Sequence, residues 1–234
     1  MSGIISILPD GKLSEPLEKA DICFSQGLSA GGLFSFITTK AILMVTRRLF
    51  EPKSKASHQF MVIKGGDDPR KIVIRQQTSP KIGNAKLSEF MRPGVKLWVF
   101  RDRSLSNLEK DLLVDKAKRT KGVYGFGKII TFFIGGFIGK LISILLLPIS
   151  LLLMLLKHKP ISVEMNIVHL LNITKTIVCS QFIAKLWWEL DNQSGVGRHF
   201  GRHWLNVDPD QAMDFCEKYS YRFPLMLYHY APKK

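Results

Sequence analysis

Residues 129–156 run almost unbroken through apolar side chains (IITFFIGGFIGKLISILLLPISLLLMLL), interrupted by one charge, Lys140, and one proline, Pro148. As a single helix of ~28 residues rising ~1.5 Å each, the stretch would be ~42 Å long, against a hydrocarbon core of ~30 Å. A helix apolar on every side needs lipid or protein around its whole circumference. Lys116, Lys118, Arg119, Lys121 and Lys128 precede it, and Lys157 and Lys159 follow it. An excess of Lys and Arg marks one face of a membrane, so both ends are expected on the same side. The segment therefore reads as a re-entrant or interfacial helical hairpin, with breaks at Gly135-Gly136 and between Lys140 and Pro148. A single bitopic helix and a buried pair of core helices are the alternatives.

Charge narrows the partners. Lys and Arg exceed Asp and Glu by 34 to 19, a net charge of +15. Such a chain favours polyanions or an anionic bilayer. The basic run Lys116–Lys121 adjoins the apolar segment, where each cation near an anionic surface contributes about 1 kcal/mol. With no RNP-like, zinc-finger or helix-turn-helix signature, nucleic acid is disfavoured. Three cysteines, Cys23, Cys179 and Cys216, cannot complete a disulfide framework, and MSGIISILPDGK lacks the features of a signal peptide. A reducing, cytosol-facing setting follows, and the sequons at Asn172 and Asn192 read as chance.

Along the chain, Pro9-Asp10-Gly11 marks a turn, and residues 21–25 a short strand. Residues 32–48 are apolar and of helix length, closing on Arg47 and Arg48. Strands are expected over 58–64, 71–78 and 95–101, as three consecutive antiparallel neighbours, with a helical turn over 87–91. Residues 104–119 read as an amphipathic helix with Leu108, Leu112, Leu113 and Ala117 on one face and Ser106 or Asn107 as cap. Residues 176–190 form a second helix, and Asp208-Pro209 has the cap-then-proline order that opens a third over 211–219. The fold class is α+β.

A thiol at a helix start carries the sharpest chemistry. The helix dipole and its unpaired N–H groups favour thiolate there, and Cys179 sits at such a start with Thr176 as the prospective cap. An inert core cysteine is the plain alternative. A histidine must take its proton, and the chain offers His58, His158, His169, His199, His203 and His229. His58 opens an apolar strand just after a polar loop, where its side chain can face a cleft. A third group should orient the imidazole. On the next strand Ile72, Ile74 and Gln76 share a face, so Gln76 offers an amide at the strand's end.

Taken in order, these segments resemble the NlpC superfamily of permuted papain-like proteins, which includes relatives of lecithin:retinol acyltransferase. Ala20-Asp21-Ile22-Cys23-Phe24 is similar to the opening "GDI-apolar-F" strand. Ser57-His58-Gln59-Phe60-Met61-Val62 resembles "SHVGIV", Val73–Thr78 stands where the family has "VIEA", and Val178-Cys179-Ser180-Gln181-Phe182 resembles "CSELV". Leu97–Arg101 with the following helix and Val123-Tyr124-Gly125-Phe126 looks like the strand–helix–"YDY" stretch, and Val207–Asp210 like "TPSDL". The match covers roughly 20–128 and 172–212. It departs where Gln59-Phe60 replaces a small Val-Gly pair and where Gln76 replaces Glu or His.

The resemblance implies a circularly permuted papain-like fold, an antiparallel sheet packed on helices, with the apolar helical membrane hairpin as an insertion. Residues 1–128 would hold the His strand, 129–159 the inserted segment and 160–234 the Cys helix. Cys179, His58 and Gln76 would be catalytic, with neither cofactor nor metal. The expected activity is a membrane-associated thiol hydrolase or acyltransferase acting on an ester, thioester or amide of a lipid or lipidated substrate. Its catalytic domain would lie on the cytosolic side of a bilayer with anionic headgroups. A cysteine peptidase or amidase of the same fold and an inactive membrane-binding scaffold are the rivals. The repeat Gly197-Arg198-His199-Phe200-Gly201-Arg202-His203-Trp204 is read as a flexed surface loop, or else a headgroup contact. A metal at His199 and His203 is disfavoured by the flanking glycines.

Overall fold

A computed structural model describes residues 4–26, 56–77, 82–121, 179–194, 200, 207, 209–230 and 232, with positions 138, 141, 142, 144–146, 148 and 149. Six strands form one antiparallel sheet: β1 (Ile22–Gln26), β2 (His58–Lys64), β3 (Val73–Gln77), β4 (Ile82–Lys86), β5 (Lys96–Phe100) and β6 (Leu225–Tyr230). Their order is β4-β3-β2-β1-β5-β6. Among the described residues they are accompanied by α1 (Asn107–Arg119), α2 (Cys179–Ser194) and α3 (Pro209–Lys218), with a 3-10 turn over Leu87–Phe90. β6, which lies beyond the apolar segment in sequence, pairs with β5, so chain from both flanks of that segment builds one sheet.

Strand alternation gives the sheet two buried faces. Ile22, Phe24, Met61 and Ile63 meet Phe182, Ile183, Leu186 and Trp187 of α2 on one side. Cys23, Phe60, Val62, Ile74, Leu97 and Val99 pack with Leu87 and Phe90 on the other. Strands covered on both faces explain why β1 and β2 read as nearly continuous apolar runs rather than alternating ones. The expected meander is corrected: β2, β3 and β4 form it, while β5 leaves β3 and pairs with β1. β4 was hidden because Gly83 and Asn84 carry little strand preference; its pairing to β3 supplies what propensity does not.

Local signals hold at several joints. At Gly11, φ is +80° and the N–H donates to the Leu8 carbonyl at 2.9 Å, closing the turn at Pro9-Asp10. Ser106 caps α1, its Oγ accepting the Glu109 N–H while the Glu109 carboxylate accepts the Ser106 N–H. Gly65 is fixed by contact: a Cβ there would stand 2.1 Å from the Leu17 carbonyl oxygen. The face expected of α1 needs revising, because Leu113, Val114 and Ala117 are buried while Leu108 and Leu112 are exposed. At about 100° per residue the buried stripe is centred between Leu113 and Val114, with Ala117 inside it, and Leu108 and Leu112 fall on the far side.

The inserted membrane hairpin is not found. Among the described residues no helix is long and apolar enough to cross a membrane. Positions 138, 141, 142, 144 and 145 are helical, Leu146 is a turn, and helix resumes at Pro148. Proline lacks an N–H and clashes with the preceding turn, which is why helix stops short of it and restarts on it. The rest of 129–156 lies outside the described residues, as do the expected helix over 32–48, Tyr124, Thr176, and every residue of the Gly197–Trp204 repeat except Phe200, which is buried.

Buried polar groups pin the C-terminal part to the sheet. The Asp102 carboxylate, with no exposed side-chain surface, accepts from Arg222 Nε at 3.0 Å and NH2 at 2.8 Å, and from Trp187 Nε1 at 3.2 Å. The Ser104 hydroxyl adds a bond at 2.6 Å. Burial pushes the carboxyl up, but these donors outweigh it and hold Asp102 below the usual carboxylate range. Its contribution to stability is therefore complete above pH ~3.9 and lost as pH falls through the lowered folded value. Asp102→Ala strands the guanidinium and the indole N–H, and urea unfolding at pH 7 should show a loss of about 3–5 kcal/mol.

Candidate active site

His58 is the first residue of β2 and Cys179 the first of α2, and the two side chains meet in a hydrogen bond. Each arrives by a different route. β2 is held between β1 and β3, with His58 opposite Ser25. α2 lies across the sheet with Phe182, Ile183 and Leu186 in the core, which sets its first turn over the start of β2. Ser180 is anchored in that turn, its hydroxyl donating to the Val207 carbonyl at 2.7 Å.

Gln76 completes the constellation. It pairs with Phe60 across the β2–β3 ladder and so shares His58's face of the sheet. Its Oε1 lies 2.9 Å from His58 Nε2. An amide oxygen only accepts, so Nε2 carries the proton and Nδ1 is the nitrogen left for the sulfur. The ring plane is also set by packing, parallel to Phe90 within 13° at 6.1 Å and 5.5 Å from Phe60. Phe60, one of the departures from the family-like pattern, thus has a job: it packs 4.3 Å from Phe90 and walls the imidazole.

Electrostatics favour the charge-separated pair. Burial raises the Cys179 thiol, yet the His58 charge and hydrogen bond, with N–H donors from Gln59 and Ser180, bring it below the ordinary thiol value. Burial lowers His58, but the facing sulfur and the Gln76 amide carry it above the ordinary imidazole value. Opposite shifts in two touching groups are the direction in which a thiolate and an imidazolium stabilise each other. Cys23 and Cys216 behave otherwise, pushed well above the ordinary thiol range chiefly by burial.

The β2–β3 ladder begins at the Phe60–Gln76 rung, and Gln59, one residue earlier, turns its N–H to the sulfur. This donor could not be read from sequence, because a backbone N–H has no residue type. The Gln59 carboxamide lies on the opposite face of the strand from His58 and is buried, with neither Nε2 nor Oε1 hydrogen-bonded among the described residues. Of the other histidines, His229 bonds the Met91 carbonyl at 3.2 Å and has no part in this cluster. His158, His169, His199 and His203 lie outside the described residues. Among the described residues no group of three or more His, Cys, Asp or Glu could hold a metal ion.

No protein-family model, no curated protein and no solved structure matches this chain.

The neutral amide at position 76 sets a measurable property. Gln76→Glu puts a carboxylate against Nε2, and an opposite charge at that distance raises an imidazole by about 1–3 pH units. An NMR titration of the His58 ring should show that rise, and a fall for Gln76→Leu, which removes the acceptor. An unmoved midpoint in both would show that Gln76 does not face the imidazole in solution.

Proposed function

We propose that this protein is a cysteine-nucleophile hydrolase or acyltransferase, related to the NlpC superfamily by the motifs above. One observation carries the reading: a helix-start cysteine and a strand-start histidine hydrogen-bonded to each other, with the imidazole's far nitrogen 2.9 Å from an amide oxygen. That is the nucleophile, base and orienting group of a thiol acyl-transfer site.

The chemistry follows from the two charges. The Cys179 thiolate attacks the carbonyl carbon of an ester, thioester or amide, and the carbonyl π pair moves to oxygen. Backbone N–H groups at the start of α2 stabilise that oxyanion. As the tetrahedral species collapses, the His58 imidazolium gives its Nδ1 proton to the departing alkoxide, thiolate or amine. A thioester remains on Cys179. Neutral His58 then takes a proton from water or an acceptor hydroxyl or amine, which attacks the thioester. Release of the acid or new acyl product returns the thiolate–imidazolium pair.

A lipid or lipidated acyl substrate is favoured over a peptide. Ile138, Leu141, Ile144, Leu145 and Ile149 are exposed apolar side chains, in sequence just beyond the basic run at 116–121. Exposed apolar side chains that follow a basic run in sequence suit an amphiphile bearing anionic headgroups. Association with such a surface on the cytosolic side belongs to the same proposal.

Iodoacetamide labelling tests the nucleophile. At pH 7 Cys179 should alkylate at least about tenfold faster than Cys23 or Cys216, since each pH unit of difference is tenfold in thiolate. His58→Ala should abolish that advantage, and Cys179→Ser should abolish turnover of a soluble short-chain ester without altering the melting temperature much. Equally slow labelling of all three thiols would favour the inactive scaffold. Cleavage of peptides but of no ester, thioester or lipid amide would favour the peptidase.

A further inference from the structure

The chain leaves β1 at Gln26 and re-enters the sheet at His58, so residues 27–57 intervene between two adjacent strands. A tight hairpin fixes register by its own turn geometry, but an excursion of this length does not. Contacts from elsewhere must place the first residue of β2. Two are seen. The Ser57 N–H donates to the Ser25 carbonyl at 2.9 Å, and its hydroxyl to the same oxygen at 3.3 Å. Two residues before His58, the fully buried Ala56 donates its N–H to Asp210 Oδ1 at 2.7 Å.

Asp210 is the second residue of α3, behind Pro209. A carboxylate suits that first turn, where the helix dipole is positive, and a charged acceptor makes the bond to Ala56 a strong one. The same stretch also reaches the other reacting residue, since Val207 accepts the hydroxyl of Ser180, the neighbour of Cys179. The entry to α3 thus touches the chain beside both members of the pair, 154 positions along the sequence from Ala56 in the case of Asp210.

We infer that Asp210 is a positioning residue for the Cys179–His58 pair. Its carboxylate fixes the re-entry of β2 through the Ala56 N–H, and thereby the approach of the imidazole to the sulfur. This rests on the reading of Cys179 and His58 as the reacting pair. It requires an acceptor oxygen at position 210 with the reach of an aspartate, not a negative charge as such.

The test is the pH dependence of Cys179 alkylation by iodoacetamide in the full-length protein, alongside turnover of a soluble short-chain ester. Asp210→Ala should slow alkylation at pH 7 about tenfold, move its midpoint toward that of an ordinary thiol, and lower kcat with little change in KM. Asp210→Asn keeps an oxygen in place and should retain near-wild-type rates and midpoint. Asp210→Ser is tolerated at a helix start but too short to reach Ala56, so it should show the slowed alkylation and shifted midpoint expected of Asp210→Ala, and it carries the test where the alanine variant fails to fold. A folded Asp210→Ala or Asp210→Ser protein with the wild-type alkylation profile would overturn the inference, as would an Asn variant as impaired as the Ala one. Wild-type Cys179 no more reactive than Cys23 would instead overturn the reading of the pair itself.

Discussion

The site depends on two residues that nothing nearby in sequence can place. His58 and Cys179 each open an element, and each follows a long stretch of chain, 27–57 in one case and 120–178 in the other. Their meeting is therefore a property of tertiary contacts alone. The sheet supplies the frame, with β2 clasped between β1 and β3. Asp102 supplies the brace, because its buried carboxylate joins Trp187 of α2 to Arg222, which follows α3. A rigid α2 is what lets its first turn aim a sulfur at a strand's first residue.

The charge state is the second consequence of that meeting. Burial penalises a thiolate and an imidazolium separately, and each alone would go neutral. In contact each shifts the other toward its charged form, and two backbone N–H groups favour the sulfur's charged form further. Gln76 fixes the ring without adding charge. A carboxylate in its place would hold the proton on His58 more tightly, which is of less use in the proposed role of giving that proton to a leaving atom. The amide therefore orients the imidazole while leaving its basicity to be set mainly by the sulfur it faces.

Legibility followed the range of the forces involved. β2 was readable because its centre, Phe60–Ile63, is apolar on both faces, and α1 was readable from its helical spacing and a cap at Ser106 or Asn107. β4 and β6 were not foreseen: one carries Gly83 and Asn84, and both owe their state to pairing partners rather than to their own residues. Cys179, His58 and Gln76 were legible as residue types in a family-like order, and the structure brings all three together. What sequence could not yield were contacts without side-chain signature, the Gln59 N–H on the sulfur and the Ala56 N–H on Asp210. The membrane hairpin is overturned because no helix among the described residues is long and apolar enough to cross a bilayer, although helix does give way at Leu146 and resume at Pro148, within the stretch where a break was expected.

That correction changes what the long insertion demands of the site. A spanning helix between His58 and Cys179 would have had to return to the same side of a bilayer before the pair could form. Among the described residues no helix is long and apolar enough for such a crossing. The two ends of the excursion are already tied together. Lys116 at the end of α1 lies 3.8 Å from Glu189 of α2, and Arg75 of β3 donates to the carbonyls of Ala117, Lys118 and Thr120 that close α1. Arg75 stands next to Gln76, so the strand that orients the imidazole also fastens the point where the chain departs. The contacts that fasten the departing end therefore fall on β3 and α2, the elements that also carry Gln76 and Cys179.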